Sequence, residues 1–136
     1  MKRLSFPIVF MVFMISIFPS SMLVFNNTEI SEEVVEAVRR GSARDLARHF
    51  GSNVDLAMPG NEGTYSKAQA ELIMRNFFAE NRPDSFTVNH QGASRDGSPF
   101  VIGNYETTGN KSYRTYILIK KVSDNYFIHH IQFELQ

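Results

Sequence analysis

The chain has 136 residues, with 14 Lys plus Arg against 14 Asp plus Glu, and it contains neither Cys nor Trp. The length points to one domain, and the lack of Cys excludes disulfides, thiolate metal sites, iron–sulfur clusters and a cysteine nucleophile. A formal net charge of zero argues against a nucleic-acid partner, which calls for a basic excess.

The N-terminus has the three parts of a secretory signal. Lys2 and Arg3 are followed by an apolar run over residues 8–18 and then by Pro19, Ser20 and Ser21. Residues 1–21 are therefore expected to be a signal peptide of an exported, periplasmic or extracellular, protein. A cut after Ser21 puts Pro19 at −3, a poor small-residue match, so cleavage is placed only within about 21–25. The alternative is an uncleaved membrane anchor over residues 4–25, long enough to cross a core of about 30 Å. No Cys is present for a lipid anchor. Removing 1–21 takes Lys2 and Arg3 with it, which leaves a mature domain, residues 29–136, with more acids than bases.

Ser31 before Glu32 and Glu33 predicts a helix start, with Ile30, Val34, Val35 and Val38 at helical spacing and Gly41 as the stop. Ser42, with Asp45 three residues on, predicts a second short helix carrying Leu46 and Phe50 and closing at Gly51. Residues 53–58 alternate and read as a short strand, and 59–63 read as a turn. Ser66 with Gln69 is a capping box for a helix over about 66–80. Its buried stripe is expected at Ala70, Ile73 and Phe77, joined by Leu72 and Phe78, and Asn81 and Pro83 stop it. Beyond residue 85 the period switches to two. Strands are expected at 86–91, 100–107, 113–122 and 126–135, joined by short turns as an antiparallel meander.

This order, with the segment Val38-Arg39-Arg40-Gly41-Ser42-Ala43-Arg44-Asp45-Leu46-Ala47-Arg48-His49-Phe50 and the meander after it, resembles the nuclear-transport-factor-2-like superfamily. Gly60-Asn61-Glu62-Gly63-Thr64-Tyr65-Ser66-Lys67-Ala68-Gln69-Ala70 is similar to a segment of one secreted bacterial family, domain of unknown function 4783. The resemblance spans about residues 29–135. It implies an α+β, cystatin-like cone: three N-terminal helices packed on a curved antiparallel meander. It implies no catalytic residue, because this superfamily hosts isomerases, dehydratases, binding modules and dimerisation domains.

Opposed residues in a hairpin sum to a constant, so the turns set a register. Centring the hairpins near 95, between 109 and 110, and near 124 puts Phe86, Val88, Phe100, Ile102, Ile117, Ile119, Phe127, Ile131, Phe133 and Leu135 on the concave face. The polar residues expected with them are Asn104, Glu106, Tyr113 and Thr115 at one end and His90 and His129 toward the other. These six are the candidate binding residues for a small hydrophobic or amphipathic ligand. Glu106, Tyr113 and Asn104 are also the catalytic candidates for a cofactor-free acid–base enzyme: a carboxylate in an apolar cleft can act as a base, and a tyrosine hydroxyl can donate to a developing oxyanion. The structural alternative is a cross-strand pair at a wet sheet edge.

No metal site and no cofactor are expected. His129 and His130 point to opposite faces of a regular strand, and His90 and His129 lie about 14 Å apart at about 4.8 Å per strand. The opposite face is expected to carry Tyr105, Arg114, Tyr116, Leu118 and His130, a composition suited to a homodimer interface as well as to a solvated face. The leading expectation is an exported, non-catalytic small-ligand or protein-binding module. The alternatives are the acid–base enzyme and a structural dimerisation domain.

Overall fold

The computed structural model describes residues 27–136. The expected signal at 1–21, its cleavage region and the alternative anchor at 4–25 lie outside the described residues. Among the described residues, no helix is long and apolar enough to cross a membrane.

Helix α1 (Asn27–Arg40) begins a turn earlier than the Ser31 cap implied. Ser31 lies inside it and is buried, because Ile30 continues the apolar stripe of Val34 and Val38 onto the core. Gly41 ends the helix in the left-handed region at φ 65°. The amides of Gly41 and Ser42 then close back onto the carbonyls of Val38 and Ala37, which satisfies helix-end acceptors. Helix α2 (Ala43–Ala47) is capped as expected, with the Ser42 side chain accepting from the Asp45 amide at 3.2 Å. It does not run to Gly51. The chain leaves the helix at Arg48, and Phe50 opens strand β1 (Phe50–Met58) by pairing with Ile128.

Strand β2 (Asn61–Ser66) begins inside the region 59–63 expected as a turn. Only Pro59 and Gly60 form the loop, since Met58 already pairs with Asn61. Gly60, at φ 84°, supplies the positive φ of such a turn. Helix α3 (Lys67–Glu80) starts from the capping box, in which the Ser66 side chain accepts from the Gln69 amide and the Gln69 side chain returns to the Ser66 amide. Its buried face is Ala70, Met74, Phe77 and Phe78; Leu72 is exposed and Ile73 half-buried.

Strands β3 (Pro83–Ala93), β4 (Pro99–Thr107), β5 (Ser112–Val122) and β6 (Asn125–Leu135) form the antiparallel meander. The sheet order is β2-β1-β6-β5-β4-β3, with β1 parallel to β6. The three helices and the curved sheet make the α+β cone. One sheet face buries Val54, Leu56, Phe86, Val101, Tyr105, Tyr113, Ile117, Ile119, Ile128, Ile131 and Phe133 under the helices.

The register differs from the expected one at three places, and each has a local cause. Glu106 pairs with Ser112 and Tyr105 with Tyr113, because the hairpin centres on Gly109 rather than between 109 and 110 and closes with Asn110 at φ 63°. A slip of one residue exchanges the two faces of a strand. Val101, Gly103 and Tyr105 therefore face inward, while Phe100, Ile102, Asn104 and Glu106 face outward. The second cause is a bulge between Val88 and His90, which keeps Phe86 and Val88 inward and turns His90 outward beside Phe100. The third is a bulge at His129, forced by the two-residue loop Ser123-Asp124, where both φ angles are positive. It brings Ile128 inward against Ile119 and leaves His129 exposed. Beyond it the expected pairs Ile117–Ile131, Arg114–Glu134 and Tyr113–Leu135 are present.

Candidate functional site: the rim of the cone

Aromatic rings fill the interior of the cone. Phe77 from α3 lies 4.5 Å from Phe133, 5.3 Å from Tyr113 and 5.9 Å from Tyr105, ring centre to ring centre. Phe78 adds an edge contact to Phe77 at 6.0 Å. Such offset and edge-on pairs match the ring quadrupoles and add to the burial of apolar area.

Two of these rings carry hydroxyls that need partners in a dry interior. Asn81, at the C-terminal cap of α3, meets both. Its backbone carbonyl accepts from the Tyr105 hydroxyl at 2.6 Å, and its side-chain oxygen accepts from the Tyr113 hydroxyl at 3.0 Å. Its side-chain nitrogen donates to the Phe77 carbonyl at 3.1 Å. Burial, reinforced by the partner hydroxyl, pushes the Tyr105 phenol well above its usual range, and burial with the nearby Glu80 carboxylate raises Tyr113. Both phenols stay protonated at neutral pH and act as hydrogen-bond donors.

At the rim next to this network a cleft of about 330 Å³ remains. The β1–β2 turn supplies Met58, Pro59 and Asn61; α3 and its cap supply Ile73, Asn76, Phe77, Glu80 and Asn81; Lys111 and Tyr113 complete the lining. The lining mixes apolar side chains with polar ones. The side chains of Asn61, Asn76, Glu80 and Lys111 make no hydrogen bond or ion pair with any described residue. They are free to meet a ligand.

Of the six residues expected to line a pocket, the structure brings only Tyr113 to this cleft. Thr115 faces the core from the next inward position and is fully buried, its hydroxyl without a hydrogen-bond partner among the described residues. Asn104 and Glu106 lie on the outer face, where Asn104 accepts from Ser112 and Glu106 from Ser85, both at 3.4 Å. The expected Glu106–Tyr113 pair therefore does not form, and a Glu106 base has no tyrosine beside it. His90 and His129 are also outside the cone. His129 lies 3.7 Å from Asp55.

The outer face differs from expectation in one residue. Tyr105 is in the core, 0 % exposed. The rest of the expected set is there: Arg114 is exposed, and Tyr116, Leu118 and His130 are half-buried. Phe100, displaced to this face by the register, joins them. His90, Phe100, Tyr116 and His130 form a ring-to-ring stripe across four strands, at 5.3, 6.4 and 5.9 Å.

Sequence reasoning missed Asn81, Asn76, Glu80, Asn61 and Lys111. Asn81 was visible only as a helix stop, yet a polar residue one position past an apolar helix stripe is well placed to cap a helix and enter the core together. The others look like ordinary surface residues, and only the fold brings them to one opening.

Among curated proteins no sequence match is found. Solved structures give close matches. A family protein from Bacteroides ovatus is 38% identical, with 76% of this chain and 93% of that chain covered and a TM-score of 0.71. One from Bacteroides uniformis is 36% identical over 79% and 97%, with a TM-score of 0.73. A more distant protein of unknown function from Cytophaga hutchinsonii, described as NTF2-like, shares the fold at a TM-score of 0.57 with 10% identity, over 82% of this chain and 90% of that one. Residues 31–134 match the family model described as Domain of unknown function (DUF4783), and the chain belongs to that family, on an NTF2-like, cystatin-like fold.

Proposed function

We propose that this protein is an exported, non-catalytic binding module that holds a small amphipathic ligand in the rim cleft. One observation carries the reading: the cone interior is filled by Phe77, Phe78, Tyr105, Tyr113 and Phe133, while the rim keeps an open cleft lined by four unpaired polar side chains together with Met58, Ile73 and Phe77. Its volume, about 330 Å³, is at the small end of ligand pockets, so a compact ligand fits better than a large cofactor. Glu106 points away from the cone, and this deprives the acid–base reading of its base.

The test is amide chemical-shift mapping with a set of small neutral, anionic, cationic and zwitterionic fragments. The reading expects shifts concentrated at Ile73, Asn76 and Lys111. No shift with any fragment, or shifts confined to the outer sheet face, would contradict it.

A second reading, a structural dimerisation domain, is favoured by the stripe His90–Phe100–Tyr116–His130 on the outer face, flanked by Ile102 and Leu118. It is compatible with the first, since the two use opposite faces. Sedimentation at micromolar concentration tests it: wild type should be dimeric and Leu118→Glu monomeric, and a monomeric wild type would remove the proposal. Export rests on residues 1–21, and intact mass of protein recovered outside the cytoplasm tests it. Retention of those residues would favour the anchor over residues 4–25.

A further inference from the structure

We infer that the rim cleft takes a zwitterion, an apolar α-amino acid or a short peptide with both termini free. This rests on the reading of the cleft as the ligand site and goes on to name the class of ligand. Glu80 stands at the C-terminal end of α3, and Lys111 stands in the turn before β5. They share one opening and do not pair with each other or with any other described residue.

Elsewhere on this protein some neighbouring opposite charges do pair. Arg40 meets Asp45 at 3.1 Å and Arg75 meets Glu71 at 3.7 Å. One unpaired carboxylate and one unpaired ammonium lining the same cleft present the complement of a molecule that carries both charges. A ligand ammonium would bond to the Glu80 carboxylate and a ligand carboxylate to the Lys111 ammonium. Charge-assisted hydrogen bonds of this kind are about twice as strong as neutral ones.

The remaining walls suit the rest of such a molecule. Asn61 and Asn76 offer amide donors and acceptors that no described residue uses, and these can bond to a second peptide unit. Ile73, Met58 and Phe77 provide apolar lining for one side chain. Tyr113 and Asn81 spend their hydrogen bonds on each other and on Phe77, so recognition is left to the four free groups. A ligand with only one charge would make one of these two charge-assisted contacts and forgo the other.

The experiment is calorimetric titration of the full mature chain with L-leucine, L-phenylalanine and L-alanyl-L-leucine, beside N-acetyl-leucine, which lacks the ammonium, and leucinamide, which lacks the carboxylate. At least one zwitterion should bind about tenfold more tightly than either blocked form, a difference of one charge-assisted contact. Glu80→Gln should remove the preference over N-acetyl-leucine and keep that over leucinamide. Lys111→Gln should do the reverse. A free amino acid and a peptide are separated by whether leucine or alanyl-leucine binds more tightly. Equal binding of free and blocked forms, or preferences unmoved by both substitutions, would overturn the zwitterion assignment while the cleft stands as a site. No binding by these probes, together with no shift at Ile73, Asn76 and Lys111 from any fragment, would overturn both.

Discussion

Asn81 is the joint between α3 and the sheet, and its removal tests the packing account most sharply. Asn81→Ala deletes two buried side-chain hydrogen bonds, the one from Tyr113 at 3.0 Å and the one to the Phe77 carbonyl at 3.1 Å. It leaves the bond from Tyr105 to the backbone carbonyl in place. A buried hydrogen bond is worth about 0.5–1.5 kcal/mol net, so the two give about 1–3 kcal/mol. Water entering the rim cleft can serve the Tyr113 hydroxyl, which moves the expectation to about 2 kcal/mol. Tyr113→Phe loses only the shared bond and should cost about 1 kcal/mol. Since both substitutions break the same contact, the double variant should be less destabilised than the sum of the singles, by about 0.5–1 kcal/mol. Urea unfolding, followed by far-ultraviolet circular dichroism and tyrosine fluorescence, measures all four proteins. The reasoning fails if Asn81→Ala lies within about 0.5 kcal/mol of wild type, a shift of the size usual for surface substitutions, or if the two single effects simply add.

Two further outcomes follow from particular contacts. At Gly103, an added Cβ would lie 2.6 Å from the Phe86 ring and 2.7 Å from the Thr87 carbonyl, so Gly103→Ala should destabilise by about 1–3 kcal/mol through overpacking; unchanged stability in urea would show that the strand yields freely. At His49, burial lowers the imidazole below its usual 6.5 and outweighs the opposing pull of Glu33, 3.3 Å away. The unfolded chain therefore takes up this proton first, and stability falls as pH drops below about 6.5. His49→Gln should lose less stability than wild type between pH 7.5 and 5.5, and an equal or larger loss in the variant would contradict the burial argument.

Much of this fold is legible in the sequence because local chemistry and tertiary packing agree. Ser42 and Ser66 cap helices where their side chains and the residues three positions on require it, and Gly41 turns the chain where only a left-handed residue fits. The meander follows from period-two alternation. Strand β2 escapes notice because Asn-Glu-Gly-Thr-Tyr-Ser has no apolar alternation. It is an edge strand that mostly faces water, and pairing with β1 holds it. The face assignment of β4 depends on one residue in the loop before Ser112, and sequence does not reveal whether Asn110 takes a positive φ. That single residue moves Glu106 out of the cone and Tyr105 into it. The bulge at His129 has the same character, since Ile128 and Ile131 on its two sides are both buried while His129 is left exposed. The rim cleft was invisible because its polar walls come from a turn, a helix end and a loop that meet only in the folded chain.

The ligand site at the rim is tested most directly by filling it. Asn76 is exposed on α3 and lines the cleft, so Asn76→Trp places a large ring across the opening without disturbing the buried face of the helix. Fragment titrations monitored by amide chemical shifts should show ligand-induced shifts at Ile73 and Lys111 in wild type and none in the variant, with both proteins equally stable in urea. Undiminished shifts at those residues in a folded Asn76→Trp protein would place the ligand elsewhere and contradict the account.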